Sequence, residues 1–180
     1  MRALVVYESM YGNTHAVAIN IAAGLGARYE VTLVPVARAT HELVGAADLI
    51  VAGGPTHMHG MSSAASRRMA GQTASKQGSG LTLDPDADST GLKGWLEGLN
   101  TRHAVAAAFD TRLRGIPALT GRASPGIGRL LKRHGYRLVV PPESFLVTGD
   151  NTLLDDETTR ARCWGAMIGV AASEMLVGHS

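Results

Sequence analysis

The sequence predicts an α/β protein built on a doubly wound parallel sheet, and three observations carry that expectation. Short, continuously apolar runs such as "ALVVY" (3–7), "LIVAGG" (49–54) and "HAVAAAF" (103–109) recur along the chain. Runs of that kind belong to strands covered on both faces. Segments with apolar residues three or four apart lie between them, so strand and helix alternate, as right-handed crossover connections require. The composition agrees. Of 180 residues, 45% are hydrophobic and only 4% aromatic, with 22 glycines, so the core must be made of Ala, Val, Leu, Ile and Met. That length suits one domain, 1–180, with an insertion at about 61–100 after the third strand.

The elements follow in order. "RALVVY" (2–7) reads as the first strand. From Asn13 to Leu25 the pattern is helical, with Val17, Ile21 and Leu25 spaced by four. "EVTLVPV" (30–36) is a second strand, placed at a sheet edge by Pro35. A short helix at about 39–45 precedes the third strand, 47–55. Residues 61–78 read as a helix opened by serine caps, 79–91 as a polar surface loop, and 92–100 as a short amphipathic helix. A fourth strand spans 103–111. "SPGIGRLLKRHG" then starts a helix, with Ser124 as the expected N-cap and Pro125 in its first turn. "YRLVV" and "SFLVTG", divided by Pro141 and Pro142, form a broken fifth strand. A last helix runs from about Asp155 to Val177, with Ala161, Trp164, Ile168, Ala171 and Met175 as its inner stripe.

Several function classes are disfavoured. A formal net charge of +2 without basic clusters argues against nucleic acid. Cys163 is the single cysteine, which excludes an intramolecular disulfide and points to a reducing, cytoplasmic setting. No stretch approaches a membrane span. The Gly-x-Gly of "GLGARY" (24–29) closes a helix instead of opening one, so it is no dinucleotide fingerprint, and the Walker spacing is absent. Asp48 lacks the acidic cluster of a phospho-acceptor site.

In doubly wound sheets ligands sit beyond the carboxyl ends of the strands, here after Tyr7, Ala52 and Phe109. The first of these loops is "ESMYGNTHAVA" (8–18). A helix N-terminus presents unpaired N–H groups and partial positive charge to an anion. Ser9, Asn13 and Thr14 add side-chain donors, and Gly12 lets the backbone curl around the anion. With no Lys or Arg in the loop, a monophosphate fits better than a triphosphate with magnesium.

This loop resembles the phosphate-binding signature of the flavodoxin family, Ser/Thr-x-Tyr/Phe-Gly-Asn-Thr after the first strand. The resemblance implies a five-stranded parallel sheet in the order 2-1-3-4-5 and non-covalent FMN, with Ser9, Met10, Tyr11, Gly12, Asn13 and Thr14 around its phosphate. The second loop, "GGPTHMHGMS" (53–62), resembles the corresponding segment of flavodoxin-like quinone reductases. It implies Pro55 and Thr56 beside the ribityl chain, and His57, Met58 or His59 on one face of the ring. The third loop, "AFDTRLRGIP" (108–117), departs from the family by lacking its stacking tyrosine. Phe109, Asp110, Thr111 and Arg112 stand there. Arg112 either lies beside the ring, where a cation favours the negatively charged reduced form and raises the two-electron potential, or faces solvent or pairs with Asp110. Arg114 reads as a surface residue. "GGPTH…GMS", "FDTR" and "PPESF" together mark a subgroup of flavodoxin-domain proteins.

Two functions follow from the resemblance. One is an FMN-dependent oxidoreductase taking electrons from a reduced nicotinamide or another donor to a quinone-like acceptor. The other is an electron carrier docking on redox partner proteins. Carriers of this family are acidic, and this chain is not, which tips the expectation toward the enzyme.

Overall fold

The computed structural model describes residues 1–57, 60–75, 82–84, 91–102 and 104–177. Strand β1 (Arg2–Tyr7) lies between β2 (Glu30–Pro35) and β3 (Leu49–His57), and β5 (Val105–Leu113) follows β3, all in parallel. Two short strands share the next place: β6 (Arg137–Leu138) pairs with the start of β5, and β7 (Glu143–Val147) with its end. With β5 as fourth strand and β6 and β7 as the broken fifth, the observed path β2-β1-β3-β5-β6 is the expected 2-1-3-4-5. Pro35 does sit on the edge strand. A two-residue arm, β4 (Gly60–Met61), folds back antiparallel on the end of β3, which the sequence reading did not foresee.

Alternation along each strand divides the core into two layers. Val5, Tyr7, Leu49, Val51, Val105, Ala107 and Phe109 face α1 (Asn13–Leu25) and α7 (Glu157–Val177). Leu4, Val6, Ile50, Ala52, Ala106 and Ala108 face the opposite layer, which includes α4 (Leu92–Glu97) and α6 (Ser124–Arg133). Each fully buried large aliphatic side chain contributes about 1.5–3 kcal/mol. Two helical glycines let α1 and α7 close up. A Cβ on Gly24 would lie 2.1 Å from the Arg162 carbonyl oxygen, and one on Gly165 2.3 Å from that of Ile21. The remaining helices are α2 (His41–Ala46), α3 (Ala64–Ala74) and α5 (Pro117–Thr120).

Three expectations need correction. Helix α6 has Ala123, not Ser124, at its N-cap; Ser124 is already helical, and its N–H donates to the Asp110 carboxylate at 2.6 Å. A carboxylate reaching over from β5 is a stronger acceptor than a local hydroxyl, so the tertiary partner displaces the local cap. In α7 the buried stripe passes through Ala172, with Ala171 only half-buried. Helix α5 occupies what read as loop, because Pro117 supplies its first-turn φ. Helix α3 opens at Ser63 with the expected serine capping box. Most of the 79–91 loop lies outside the described residues.

Candidate functional site

The carboxyl ends of β1, β3, β5 and β7 surround a cleft of about 250 Å³. Strands β3 and β5 run on past the body of the sheet, paired to Pro55 and Thr111, and form its floor. One wall is the turn from β1 into α1. Gly12 takes a left-handed φ of 87° there, with nothing within 4 Å of where a Cβ would stand. Glycine accepts that conformation without strain. The Gly12 N–H donates to the Ser9 hydroxyl at 3.1 Å, which closes the turn.

Helix α1 then starts with no side chain capping it and no acidic residue in its first turn. Three other helices at this end of the sheet, α3, α4 and α6, are closed by the chain's own groups. Ser63 and Ser66 cap α3 reciprocally. The Glu8 carboxylate accepts from the Leu92 N–H that opens α4, at 2.8 Å. At α6, Asp110 takes the Ser124 N–H, and the Thr56 hydroxyl takes that of Ala123 at 2.9 Å. The α1 terminus keeps its donors at the cleft without such a partner, and the four-residue α5 likewise opens at Ile116 without a side-chain cap.

Hydroxyls and amides converge on the same spot. The Thr14 and Thr111 hydroxyls lie 2.7 Å apart, both buried, and join the first loop to the third. The Asn13 amide donates to the carbonyl oxygen and side-chain oxygen of Asn151, at 2.8 and 3.1 Å. That contact brings in a fourth loop, residues 147–151, whose Val147, Thr148, Gly149 and Asn151 also line the cleft. The sequence reading missed it. Its signal was available: "TGDN" directly follows the fifth strand, and the carboxyl-end rule applies there as it does to the other three.

The other expected residues divide. Met10, Tyr11, Pro55, Thr56, His57, Thr111 and Arg112 border the cleft with Asn13 and Thr14. Phe109 turns to the core, 6.2 Å from the Phe145 ring and 6.4 Å from Trp164. A Cβ on Gly53 would sit 2.1 Å from the Phe109 ring, so that glycine makes room for it. Asp110 is fully buried and aimed at α6. Arg112 does not pair with it. Instead its Nη1 donates to the carbonyls of Leu113 and Gly115 and to the Thr120 hydroxyl, at 3.1, 3.0 and 2.9 Å. Arg114 is exposed. Met58 and His59 lie outside the described residues.

Two further groups shape the site. Burial holds the His57 imidazole below its ordinary pKa, against the opposing pull of Glu8. Glu8 itself is buried and clasps the inserted segment. Besides Leu92 it accepts from the Ser62 hydroxyl and stands 4.0 Å from the Arg67 guanidinium. The Tyr11 hydroxyl donates to the Ala70 carbonyl at 3.1 Å, so α3 is tied to the first loop as well.

The flavodoxin family's sequence profile matches residues 5–99, which span the first two loops of this cleft and most of the insertion. The chain belongs to the flavodoxin family. Solved flavodoxins share its fold. An archaeal flavodoxin is 20% identical over 96% of this chain and 99% of its own, with a TM-score of 0.68. Flavodoxin 1 from Bacillus cereus is 17% identical over 93% and 97%, at 0.63. Rubredoxin oxygen:oxidoreductase from Desulfovibrio gigas is 16% identical over 97% of this chain and 37% of that one, at 0.65. Comparison with curated protein sequences finds no match.

FMN is the cofactor of flavodoxins, and this chain is an FMN-binding redox protein of that kind. The residues present fit it. An acid-free, uncapped helix N-terminus beside a left-handed glycine and two buried threonine hydroxyls suits a phosphate dianion. Pro55, Leu113 and Val147 offer apolar surface further along the same cleft. Among the described residues, no helix is long and apolar enough to cross a membrane.

Proposed function

We propose that this flavodoxin-family chain is a cytoplasmic redox enzyme, passing electrons from a reduced nicotinamide or another donor to a small quinone-like acceptor. The 180 residues act as one domain, with residues 61–100 as an insertion beside the cleft. FMN, when bound, supplies a centre that takes up and releases one or two electrons. The N–H groups that open α1, with Ser9, Met10, Tyr11, Gly12, Asn13 and Thr14, hold its phosphate, and the Thr111 hydroxyl braces Thr14. Pro55 and Thr56 flank the ribityl chain, and His57 one side of the ring. Arg112 keeps the opposite wall in place. Phe109 and Asp110 of β5 support that wall from behind, one packed in the core and one against the start of α6.

The observation that carries this reading is the open terminus of α1, in a chain that closes α3, α4 and α6 with its own side chains. A specific feature supports a small acceptor. A second cavity of about 170 Å³ adjoins the cleft through Tyr11 and His57 and is otherwise lined by Ser66, Met69, Ala70 and Thr73 of α3. Its size suits a single small ring. Neutral at pH 7 because burial disfavours its charged form, His57 can still donate or accept one hydrogen bond there.

The carrier reading has its own support, the exposed apolar segment 113–119 next to the cleft. Flavin absorbance on mixing with FMN tests the cofactor. Oxidation of a reduced nicotinamide by the loaded protein, faster with a small quinone than without, marks the enzyme. Electron transfer to proteins alone marks the carrier.

A further inference from the structure

The sequence leaves Arg112 three roles, beside the ring, in solvent or paired with Asp110, and the structure removes two of them. The residue is only 9% exposed, and its guanidinium has no carboxylate partner among the described residues. Asp110 receives the Ser124 N–H instead, while Glu143 and Glu157 are held by Arg160. Asp150, on the adjoining loop, is exposed and takes the Thr148 hydroxyl. Arg112 Nη1 is fixed by the Leu113 and Gly115 carbonyls and the Thr120 hydroxyl, all uncharged, and Nε is buried without a partner. Neutral acceptors hold a guanidinium in place and leave its net charge uncompensated. At a buried position that charge acts more strongly than it would in water.

Its direction follows from the pleat, because successive side chains of a strand take opposite faces. Phe109 and Thr111 of β5 face the α1 layer, where Thr111 meets Thr14. Asp110 and Arg112 face the other way, and Asp110 reaches the start of α6. The guanidinium therefore stands apart from the open terminus of α1. It borders the cleft beside Leu113 and the paired Val147, the apolar stretch that suits a ring.

We infer that Arg112 acts on the flavin ring and not on its phosphate, and biases the cleft toward the reduced cofactor, a role that rests on the cleft being the FMN site. A hydride from a reduced nicotinamide carries two electrons and one proton, so it leaves the donor as its oxidised cation and puts one negative charge on the ring. The fixed guanidinium favours that charged ring over the uncharged oxidised one. Arg112 itself takes no proton and forms no bond in the exchange.

The test measures affinity for oxidised FMN and riboflavin by fluorescence titration, and the two-electron potential by equilibration with a reference dye. In the wild type the bound potential should lie above that of free FMN, which needs no variant. Arg112→Gln should keep oxidised FMN within about threefold of wild type and weaken reduced FMN at least about tenfold. The potential then falls by about 30 mV or more, the two-electron equivalent of tenfold. Arg112→Lys should retain most of the wild-type potential. Thr120→Val, which loosens the loop and spares the charge, should leave it unchanged. Circular dichroism checks that the variants fold. A wild-type potential at or below that of free FMN overturns the inference, as does a potential indifferent to Arg112→Gln. So does a shift in Thr120→Val as large as in Arg112→Gln, which would make Arg112 a loop anchor only. Loss of oxidised FMN affinity with riboflavin unaffected would put the charge on the phosphate and overturn it too. If the wild type binds no flavin, the cofactor reading falls and takes the inference with it; if flavin binds and only these Arg112 results fail, the inference falls alone.

Discussion

Two helix N-termini at the same end of the sheet are treated in opposite ways. Helix α6 begins against the buried Asp110 carboxylate and the Thr56 hydroxyl, both sent across from neighbouring strands. Helix α1 begins at Gly12 with no cap and no acid. Each presents the same backbone donors and the same partial positive charge. One is completed by the protein and serves stability. Under the proposed function the other takes an anion from outside, and the threonine pair beside it leaves one hydroxyl proton to donate.

The contrast can be broken from either side. The largest effect is expected at the closed terminus. Asp110→Ala strips the Ser124 N–H of its buried charged acceptor and should cost about 2–3 kcal/mol of stability, read from denaturant unfolding. Asp110→Asn should recover part of it. A loss under about 0.5 kcal/mol would mean that the carboxylate is not closing α6.

At the open terminus the cost should fall on the ligand instead. Thr14→Ala removes a hydroxyl donor to phosphate and should weaken FMN by about 1–3 kcal/mol, measured by fluorescence titration. Affinity equal to wild type would take Thr14 out of the site. Turning the open end into a closed one sharpens the comparison further. Gly12→Asp places a carboxylate at the α1 terminus. Left-handed strain of about 1 kcal/mol is then offset by about 0.3–1 kcal/mol of helix–anion attraction. Stability should barely change while FMN affinity drops about tenfold or more. Loss of stability with intact FMN binding would contradict this.

The smallest effect concerns His57, between the two termini. Burial lowers its pKa in the folded protein. As pH falls through its ordinary value near 6.5, the unfolded chain takes up a proton that the folded one resists. Stability therefore declines from about pH 7 toward pH 5. His57→Gln should flatten that decline, as followed by thermal unfolding across the same range. An unaltered pH profile would place the imidazole in solvent.

How much of this was legible follows from where each signal lies. The alternation of strands and helices and the turn of the first loop were readable because their signals are local: apolar runs, a glycine, a threonine and a helix in direct succession. The sheet order came from the family resemblance that this loop carries. Roles that depend on partners far along the chain were not. Asp110 looked like a loop residue near a cofactor because nothing nearby in sequence announces that its carboxylate ends on α6, 14 positions on. Glu8 stood inside the quoted motif yet went unnoticed, since its partners Ser62 and Leu92 lie 54 and 84 residues away. Arg112 offered a charge whose direction only the fold decides, and it turns to carbonyls of its own loop. The contact of Asn13 with Asn151, across 138 residues, was invisible for the same reason, although the carboxyl-end rule did point to the loop that holds Asn151.

The most direct test of the account compares FMN with riboflavin, which has the same ring and no phosphate. If the open end of α1 is the anion site, FMN should bind the wild type at least about tenfold more tightly than riboflavin, and Gly12→Asp should erase most of that difference. Equal affinity for the two flavins in the wild type would contradict the account at its centre.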